Sequence, residues 1–226
     1  MKVGLIANLF FIMKHYTNND LQQLEKLFRG NLINSCTGYK SANLIGTKSK
    51  EGIENLAIFN SVNHVGSNPP MLSVLFRPTT IARNTYDNIK ETGNFTVNHV
   101  SADYIQQAHQ TSAKYDASIS EFNKTSLEAF YRDTFTAPYV KDSPIQLGCS
   151  FINEYHIKEN DTILVIAKID HLYIRDGLEL PDGWLNLENA NTVVTNGLDG
   201  YALPKLLDRF SYARPNQETT SIKHDD

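Results

Sequence analysis

Residues 145–175 read IQLGCSFINEYHIKENDTILVIAKIDHLYIR. Two runs rich in β-branched and aromatic residues, 145–156 and 162–175, flank the polar stretch Lys158-Glu159-Asn160-Asp161. Strand-forming runs separated by a short polar turn are typical of a β-hairpin. We therefore predict two long antiparallel strands over this part of the chain.

Shorter strands are predicted upstream of this hairpin, over residues 42–47, 55–60, 71–76 and 94–100. Gly52 supplies the permissive backbone for a turn between the first two, and Pro69-Pro70 forms a rigid loop before the third. Strands that follow one another in hairpins favour an antiparallel barrel over a βαβ wind. The predicted fold class is mainly β with flanking helices.

Helices are predicted between these strands and at the N-terminus. Leu21, Leu24, Leu27 and Phe28 have helical spacing after a polar cap at residues 18–20, and Gly30 is expected to end that helix. Two more helices are expected over residues 82–92 and 102–110. The chain divides into an extension with a helix (1–30), one domain (31–215) and a polar tail (216–226).

The first residues include an apolar run over residues 3–13. It is shorter than the roughly 20 residues that span a bilayer, and no small-residue cleavage site follows it. A secreted leader is therefore the less favoured interpretation. Residues 1–12 are expected to be either sequence upstream of an initiator at Met13 or an extension that packs on the body.

Composition excludes several classes of function. The net charge is −4 and the cations are scattered, which argues against binding to nucleic acid, and no membrane partner is predicted either. Cys36 and Cys149 are far apart, as expected in a reducing compartment, so a cytoplasmic location is predicted. His64, His99 and His109 form no metal-ligating motif, so no metal site is predicted.

A candidate phosphate site follows the predicted strand 71–76. Arg77, Thr79, Thr80, Arg83 and Thr85 lie within nine residues of one another, and the last of them is near the start of a helix. A phosphate monoester is bound by charge-assisted donors, hydroxyls and helix N-terminal N–H groups, and this stretch offers all three. The alternative is a strand-to-helix loop with two solvated arginines.

The strand over residues 55–61 is a second candidate binding element. Leu56 and Ile58 can pack on the core, while the opposite face presents Ala57, Phe59 and Ser61, where a flat ring could lie. The alternative is an ordinary half-buried strand.

Taken in order, these segments resemble the flavin reductase-like, FMN-binding split β-barrel family, over roughly residues 30–215. The resemblance rests on the ordered set of segments. The segments that carry it are SANLIGT (41–47), NLAIFNSV (55–62), HVGSNPP (64–70), Arg77-Pro78, TYDNIKETG (85–93), FTVN (95–98), HQTSAKY (109–115) and GLDGY (197–201).

The resemblance implies an FMN cofactor, NADH or NADPH as co-substrate, a homodimer, and a partner oxygenase or other electron acceptor. It implies phosphate ligands and ring or ribityl contacts, with Lys114, Tyr115 and residues 198–201 closing over the flavin. No catalytic side chain is expected, because the flavin carries the chemistry. The implied FMN-binding residues are Asn55, Ala57, Ile58, Phe59, Asn60, Ser61, Arg77, Thr80, Arg83, Thr85, Lys114 and Tyr115.

One departure from the family concerns the hairpin turn before the last long strand. Many flavin reductases of this group carry Gly-Asp-His there, whereas this chain has Glu159-Asn160-Asp161-Thr162. The missing histidine weakens the prediction of an NAD(P)H site more than that of an FMN site. A flavoredoxin-like electron carrier and a non-catalytic flavin-binding protein therefore stay open beside the reductase.

Overall fold

The computed structural model describes residues 13–222. The two explanations for residues 1–12 concern a segment that lies outside this range. The helices are α1 (Asn18–Gln23), α2 (Lys26–Cys36), α3 (Asn84–Thr92), α4 (Ile105–Gln110) and α5 (Phe122–Thr125). The strands are β1 (Lys40–Ser41), β2 (Asn43–Lys48), β3 (Glu54–Phe59), β4 (Val62–Ser67), β5 (Pro70–Phe76), β6 (Asn94–His99), β7 (Ala129–Phe130), β8 (Tyr139–Val140), β9 (Ile145–Ile157), β10 (Thr162–Ile174), β11 (Val194–Asn196) and β12 (Gly200–Ala202).

The main sheet has seven strands in the order β3-β2-β6-β9-β10-β5-β4. All of its neighbouring strands pair antiparallel. Its two edge strands, β3 and β4, are consecutive in sequence and are separated only by Asn60 and Ser61. A sheet whose opposite edges are joined by so short a link must roll up, so the fold is a mainly β split barrel.

Alternating side chains divide the core between the two faces of this sheet. Ile45 on β2 packs inside the barrel with Phe76, Val97 and Val165. Its neighbour Leu44 faces the opposite way, into a second cluster covered by α4, α5 and the loops around them. This period-two pattern is what a strand buried on both faces requires.

The long hairpin predicted over residues 145–175 is confirmed, since β9 and β10 pair along their length. The strands predicted over 42–47, 55–60, 71–76 and 94–100 are also found, within one or two residues at their ends. The helix predicted over 82–92 is shorter at its start and ends at Gly93, whose φ of 76° suits glycine. The helix predicted over 102–110 begins with a turn of 3₁₀-helix at Ala102–Tyr104.

One local prediction is wrong. The N-terminal helix does not end at Gly30: α1 ends at Gln23, and α2 runs through Gly30 to Cys36. The loop predicted at Pro69-Pro70 is a tight turn at residues 68–69, which joins β4 to β5 in a hairpin. None of the helices in the described part of the chain is both long and apolar enough to cross a membrane.

Candidate functional site

A cavity of about 570 Å³ opens beside the edge strand β3. This volume is within the range of about 300–1,000 Å³ that is typical of small-molecule sites. Three parts of the chain form its walls: the segment from the end of β5 to the start of α3, then β3 with the link to β4, and finally the loop from residue 111 to 117. Glu121 completes the lining.

The first wall is the start of α3, where Arg83 is the N-cap residue. Its side chain makes no capping hydrogen bond, because a guanidinium has only donors. Its backbone N–H donates to Asp87 Oδ2 at 3.3 Å. The N–H groups of the first helical turn therefore have no side-chain cap, and they form the positive end of the helix dipole.

Arg83 is electrostatically unfavourable at this position unless an anion binds there. A cation at a helix N-terminus opposes the dipole, at a cost of about 0.3–1 kcal/mol. Its Nε is also buried without a hydrogen-bond partner among residues 13–222. Arg77, which is exposed, lines the same cavity. A phosphate would satisfy the buried donor, both cations and the helix N-terminus together, so these residues fit the phosphate group of FMN.

Behind this wall lies a buried polar network. Asn55 Nδ2 donates to Thr85 Oγ1 at 2.9 Å and to Thr47 Oγ1 at 3.3 Å. Asn88 Nδ2 also donates to Thr47 Oγ1, at 3.0 Å. All four side chains are buried. The network fastens α3 to β2 and β3 and fixes Thr85 at the edge of the cavity.

The second wall is β3 itself. As an edge strand, it pairs with β2 on one side only. Leu56 N–H points away from β2, toward the Glu121 carboxylate. Backbone groups two residues apart point the same way, so the N–H and C=O of Ile58 also face the open edge. The strand therefore offers backbone donors and acceptors to a ligand.

The side chains of β3 only partly match the predicted ring face. Leu56 and Ile58 pack on the outer core cluster, as predicted. Phe59, however, packs edge-on against Phe76 with 5.2 Å between ring centroids, so its ring belongs largely to the barrel interior. Ala57 leaves space at the wall because its side chain is small. Asn60 lines the cavity and donates to Gly197 O at 2.9 Å, which anchors the β11–β12 turn.

The third wall is the loop that follows α4. It contributes Lys114, which is exposed, and Tyr115, whose hydroxyl accepts a hydrogen bond from Gln110 Nε2 at 2.9 Å. Asp116 also lines the cavity, and hydrogen bonds from Ser118 lower the pKa of its carboxyl. The positive charge of the cavity is therefore concentrated at Arg77, Arg83 and Lys114.

Glu121 is a buried carboxyl group that the sequence analysis missed. It is 5% exposed, and burial raises the pKa of its carboxyl, a shift that the hydrogen bond from Leu56 N–H opposes. It belongs to a mixed segment with no periodic pattern, and its contact with β3 is long-range. No local sequence signal could have revealed it.

The structure thus brings together, around one cavity, eleven of the twelve implied FMN-binding residues, all but Thr80, and it leaves Thr79 of the candidate phosphate site outside the lining. Thr80 is exposed and does not line the cavity. Residues 198–201 do not line it either. Tyr201 instead hydrogen-bonds His109 Nδ1 at 2.9 Å and packs against the outer core cluster. No group of three or more metal-ligating side chains comes together within residues 13–222.

Comparison with known proteins agrees with this geometry. Residues 39–192 match the family model described as "Flavin reductase like domain". The chain belongs to the flavin reductase-like family. Its matched region contains all three walls of the cavity.

Solved structures of similar fold extend this comparison. A Shewanella frigidimarina protein with a split barrel domain is 40% identical to this flavin reductase-like chain, with a TM-score of 0.86 over 89% of this chain and 100% of that one. Nitrilotriacetate monooxygenase component B from Bacillus cereus is 21% identical, with a TM-score of 0.75 over 89% and 99% of the two chains. Flavoredoxin of Desulfovibrio vulgaris is 19% identical, with a TM-score of 0.61 over 83% and 88%. The last two identities establish a likeness of fold alone.

Proposed function

We propose that this chain binds FMN in the cavity beside β3 and transfers hydride from NADH or NADPH to the flavin. The observation that carries the FMN assignment is the unpartnered Nε of Arg83, buried at the N-terminus of α3. A buried charged donor without a partner is costly, and a phosphate at this position removes that cost. A flavin without a phosphate would not.

The residues of the cavity have separate tasks in this proposal. Arg77, Arg83 and the first N–H groups of α3 bind the phosphate, and Thr85 donates its hydroxyl hydrogen to it. The backbone edge of β3 contacts the ring and the ribityl chain, with Ala57 leaving space for the ring. Lys114 and Tyr115 cover the flavin from the third wall.

Bound FMN would supply the redox chemistry, because its ring accepts a hydride from a reduced nicotinamide. The protein has to bind the ring, orient it and exclude water from it. The apolar lining from Ile58, Leu75 and Phe76 suits the exclusion of water.

FMN binding is tested first on purified protein freed of flavin. We expect added FMN to lose fluorescence on binding, with saturation at one FMN per chain. Protein that leaves the fluorescence unchanged would contradict the assignment. Hydride transfer is then tested by the loss of nicotinamide absorbance with NADH and with NADPH, in the presence of excess FMN. Oxidation of either coenzyme supports the reductase.

A flavoredoxin-like electron carrier is the second candidate function. The observation in its favour is the β9–β10 turn, which lacks the family's histidine. Asp161 there lies 3.5 Å from His156, and Asn160 accepts hydrogen bonds from Thr162, so these polar side chains contact one another. FMN binding without oxidation of either coenzyme would favour the carrier over the reductase. The two arginines of the cavity suit a working cofactor site, which argues against a non-catalytic flavin-binding protein.

A homodimer is also part of the proposal. No residue of α2 is buried, yet the helix carries the exposed apolar side chains Leu27, Phe28 and Ile33. Leu207 and Tyr212, near the C-terminus, are more than four-fifths exposed. Apolar surface of this kind is typical of subunit contacts. We expect light scattering to give a dimer mass, and Leu27→Glu with Phe28→Glu to give a monomer.

We also propose a destination for the electrons and a cytoplasmic location. An oxygenase or another acceptor would take electrons from the reduced flavin, as the family resemblance implies. Both cysteines are free thiols, with Cys36 exposed and Cys149 buried, which suits the cytoplasm.

A further inference from the structure

The hydrogen bonds of Asn55 link the strand that lines the cavity to the helix at its phosphate end. One amide hydrogen of Asn55 goes to Thr85 Oγ1 on α3, and the other goes to Thr47 Oγ1 on β2. The amide nitrogen therefore has no donor left for a ligand, and only the Oδ1 atom stays available. Asn55 lines the cavity, but its amide N–H groups are already donated to other side chains of the protein.

The hydrogen bond from Asn55 determines the direction in which the Thr85 hydroxyl can donate. Thr85 Oγ1 already accepts from Asn55, and within the described chain its hydroxyl donates no hydrogen bond to another residue. Its hydrogen is therefore free to point into the cavity that Thr85 lines. Because Thr85 Oγ1 accepts from Asn55, the Thr85 hydroxyl hydrogen is oriented to donate to a ligand in the cavity.

Thr47 is the anchor of this arrangement. It is fully buried and accepts from both Asn55 and Asn88. Neither Thr47 nor Asn88 lines the cavity, so neither can contact a ligand there. Any effect of these two residues on ligand binding is therefore indirect, through Asn55, Thr85 or the position of α3.

We propose that Thr47, Asn55 and Asn88 are positioning residues that hold the Thr85 hydroxyl toward the phosphate, so that the chain selects phosphorylated flavin in part through Thr47 and Asn88, two side chains beyond the cavity wall. This inference rests on the proposed function and deepens it. Its specific consequence is that the network affects the affinity for FMN and leaves the affinity for riboflavin, which has no phosphate, nearly unchanged.

The test is Thr47→Val, which removes the acceptor and keeps the shape of the side chain. Dissociation constants for FMN and for riboflavin are measured by fluorescence titration. We expect FMN binding to weaken about tenfold, the size of one hydrogen bond to a charged group, with riboflavin binding unchanged. Thr96→Val is the matched control, because Thr96 is a fully buried threonine on β6 whose hydroxyl bonds Pro138 O, away from the cavity. The control should leave the ratio of the two constants unchanged.

A double-mutant cycle separates positioning from general loosening of the structure. In a Thr85→Val background, Thr47→Val should have no further effect on FMN binding, because the hydroxyl it positions is gone. Asn88→Ala, which removes the second donor to Thr47, is the replacement should Thr47→Val fail to fold by circular dichroism. It should lower FMN affinity selectively as well.

The outcomes separate this inference from the proposed function. Wild-type protein that binds neither flavin overturns the proposed function itself. Wild-type protein that binds FMN and riboflavin equally well overturns the inference together with the phosphate site at the start of α3. The inference alone is overturned if Thr47→Val weakens both flavins alike, changes neither, or has an undiminished effect in the Thr85→Val background.

Discussion

The carboxylate of Glu121 accepts a hydrogen bond of 2.9 Å from the backbone N–H of Leu56, which lies 65 positions earlier in the chain. Leu56 belongs to β3, an edge strand whose outward N–H groups have no neighbouring strand to pair with. Glu121 therefore covers part of the sheet edge at the point where the cavity begins. A buried N–H without such a partner would cost about 1–3 kcal/mol.

Replacing Glu121 in two ways measures the value of this contact. Glu121→Ala leaves Leu56 N–H without an acceptor and should lower the free energy of unfolding by about 1–3 kcal/mol. Glu121→Gln keeps an acceptor oxygen of the same reach and should cost clearly less. Urea denaturation of the two variants and the wild type gives the comparison. Equal losses for alanine and glutamine would show that the oxygen does not matter.

The free energy of unfolding should depend on pH in a way that is specific to Glu121. Burial raises the pKa of Glu121 above its ordinary value of 4.5, so the native state holds this proton more tightly than the unfolded chain does. The contribution of Glu121 to the free energy of unfolding therefore decreases as pH rises from its ordinary pKa through the raised pKa of the native state. Above that interval the contribution no longer changes with pH. Glu121→Gln cannot titrate, so its stability relative to wild type should increase over that interval. A constant difference between about pH 4 and 8 would contradict the shift.

The fold could be predicted where the local pattern agrees with the tertiary structure. The hairpin 145–175 has alternating apolar residues and a polar turn, and α3 ends at a glycine with positive φ, so both are visible in sequence. β4 was missed because its residues, Asn63 and His64 among them, are polar and largely exposed. This edge strand forms because β5 pairs with it, and the residues of β4 show no local pattern that would predict such pairing.

The candidate site was predictable to a similar extent. Arg77, Arg83 and Thr85 are close in sequence and meet at the cavity, because a strand-to-helix connection keeps its residues together. Thr80 belongs to the same stretch, yet the path of the loop leaves it exposed. Glu121 and Thr47 could not be found, because Leu56 bonds Glu121 across 65 positions of the chain and Asn88 bonds Thr47 across 41.

Gly46 and Gly30 should respond in opposite ways to alanine. A Cβ on Gly46 would lie 2.6 Å from Thr96 Oγ1 and would also clash with the backbone carbonyl of Pro138, so Gly46→Ala should destabilise the protein by about 1–3 kcal/mol.

Gly30 is inside α2, and nothing lies within 4 Å of the Cβ it would gain. Gly30→Ala should stabilise the protein by about 0.4–1 kcal/mol, because alanine restricts the unfolded chain. Thermal denaturation measures both, and a destabilising Gly30→Ala would mean that α2 does not run through this position.

Arg83 should affect stability and FMN binding with opposite signs. In flavin-free protein, Arg83→Met removes a cation from the positive end of α3 and an unpartnered buried donor, and should raise the free energy of unfolding by about 0.3–1 kcal/mol. In the presence of FMN, the same change removes a charge-assisted bond and should weaken binding by about 1.5–3 kcal/mol. Urea denaturation without flavin and fluorescence titration with FMN give the two values.

The opposite signs make this prediction specific to an anion site at the start of α3. Lys158→Met is the control, because it removes one exposed cation from the β9–β10 turn, which does not line the cavity. It should change neither quantity beyond about 0.5 kcal/mol, the usual range for surface substitutions. If Arg83→Met lowered stability without flavin and left FMN affinity intact, Arg83 would be a structural residue and the phosphate would have to bind elsewhere. A gain in stability together with a loss of FMN affinity would mean that Arg83 is kept for the ligand, at the expense of the fold.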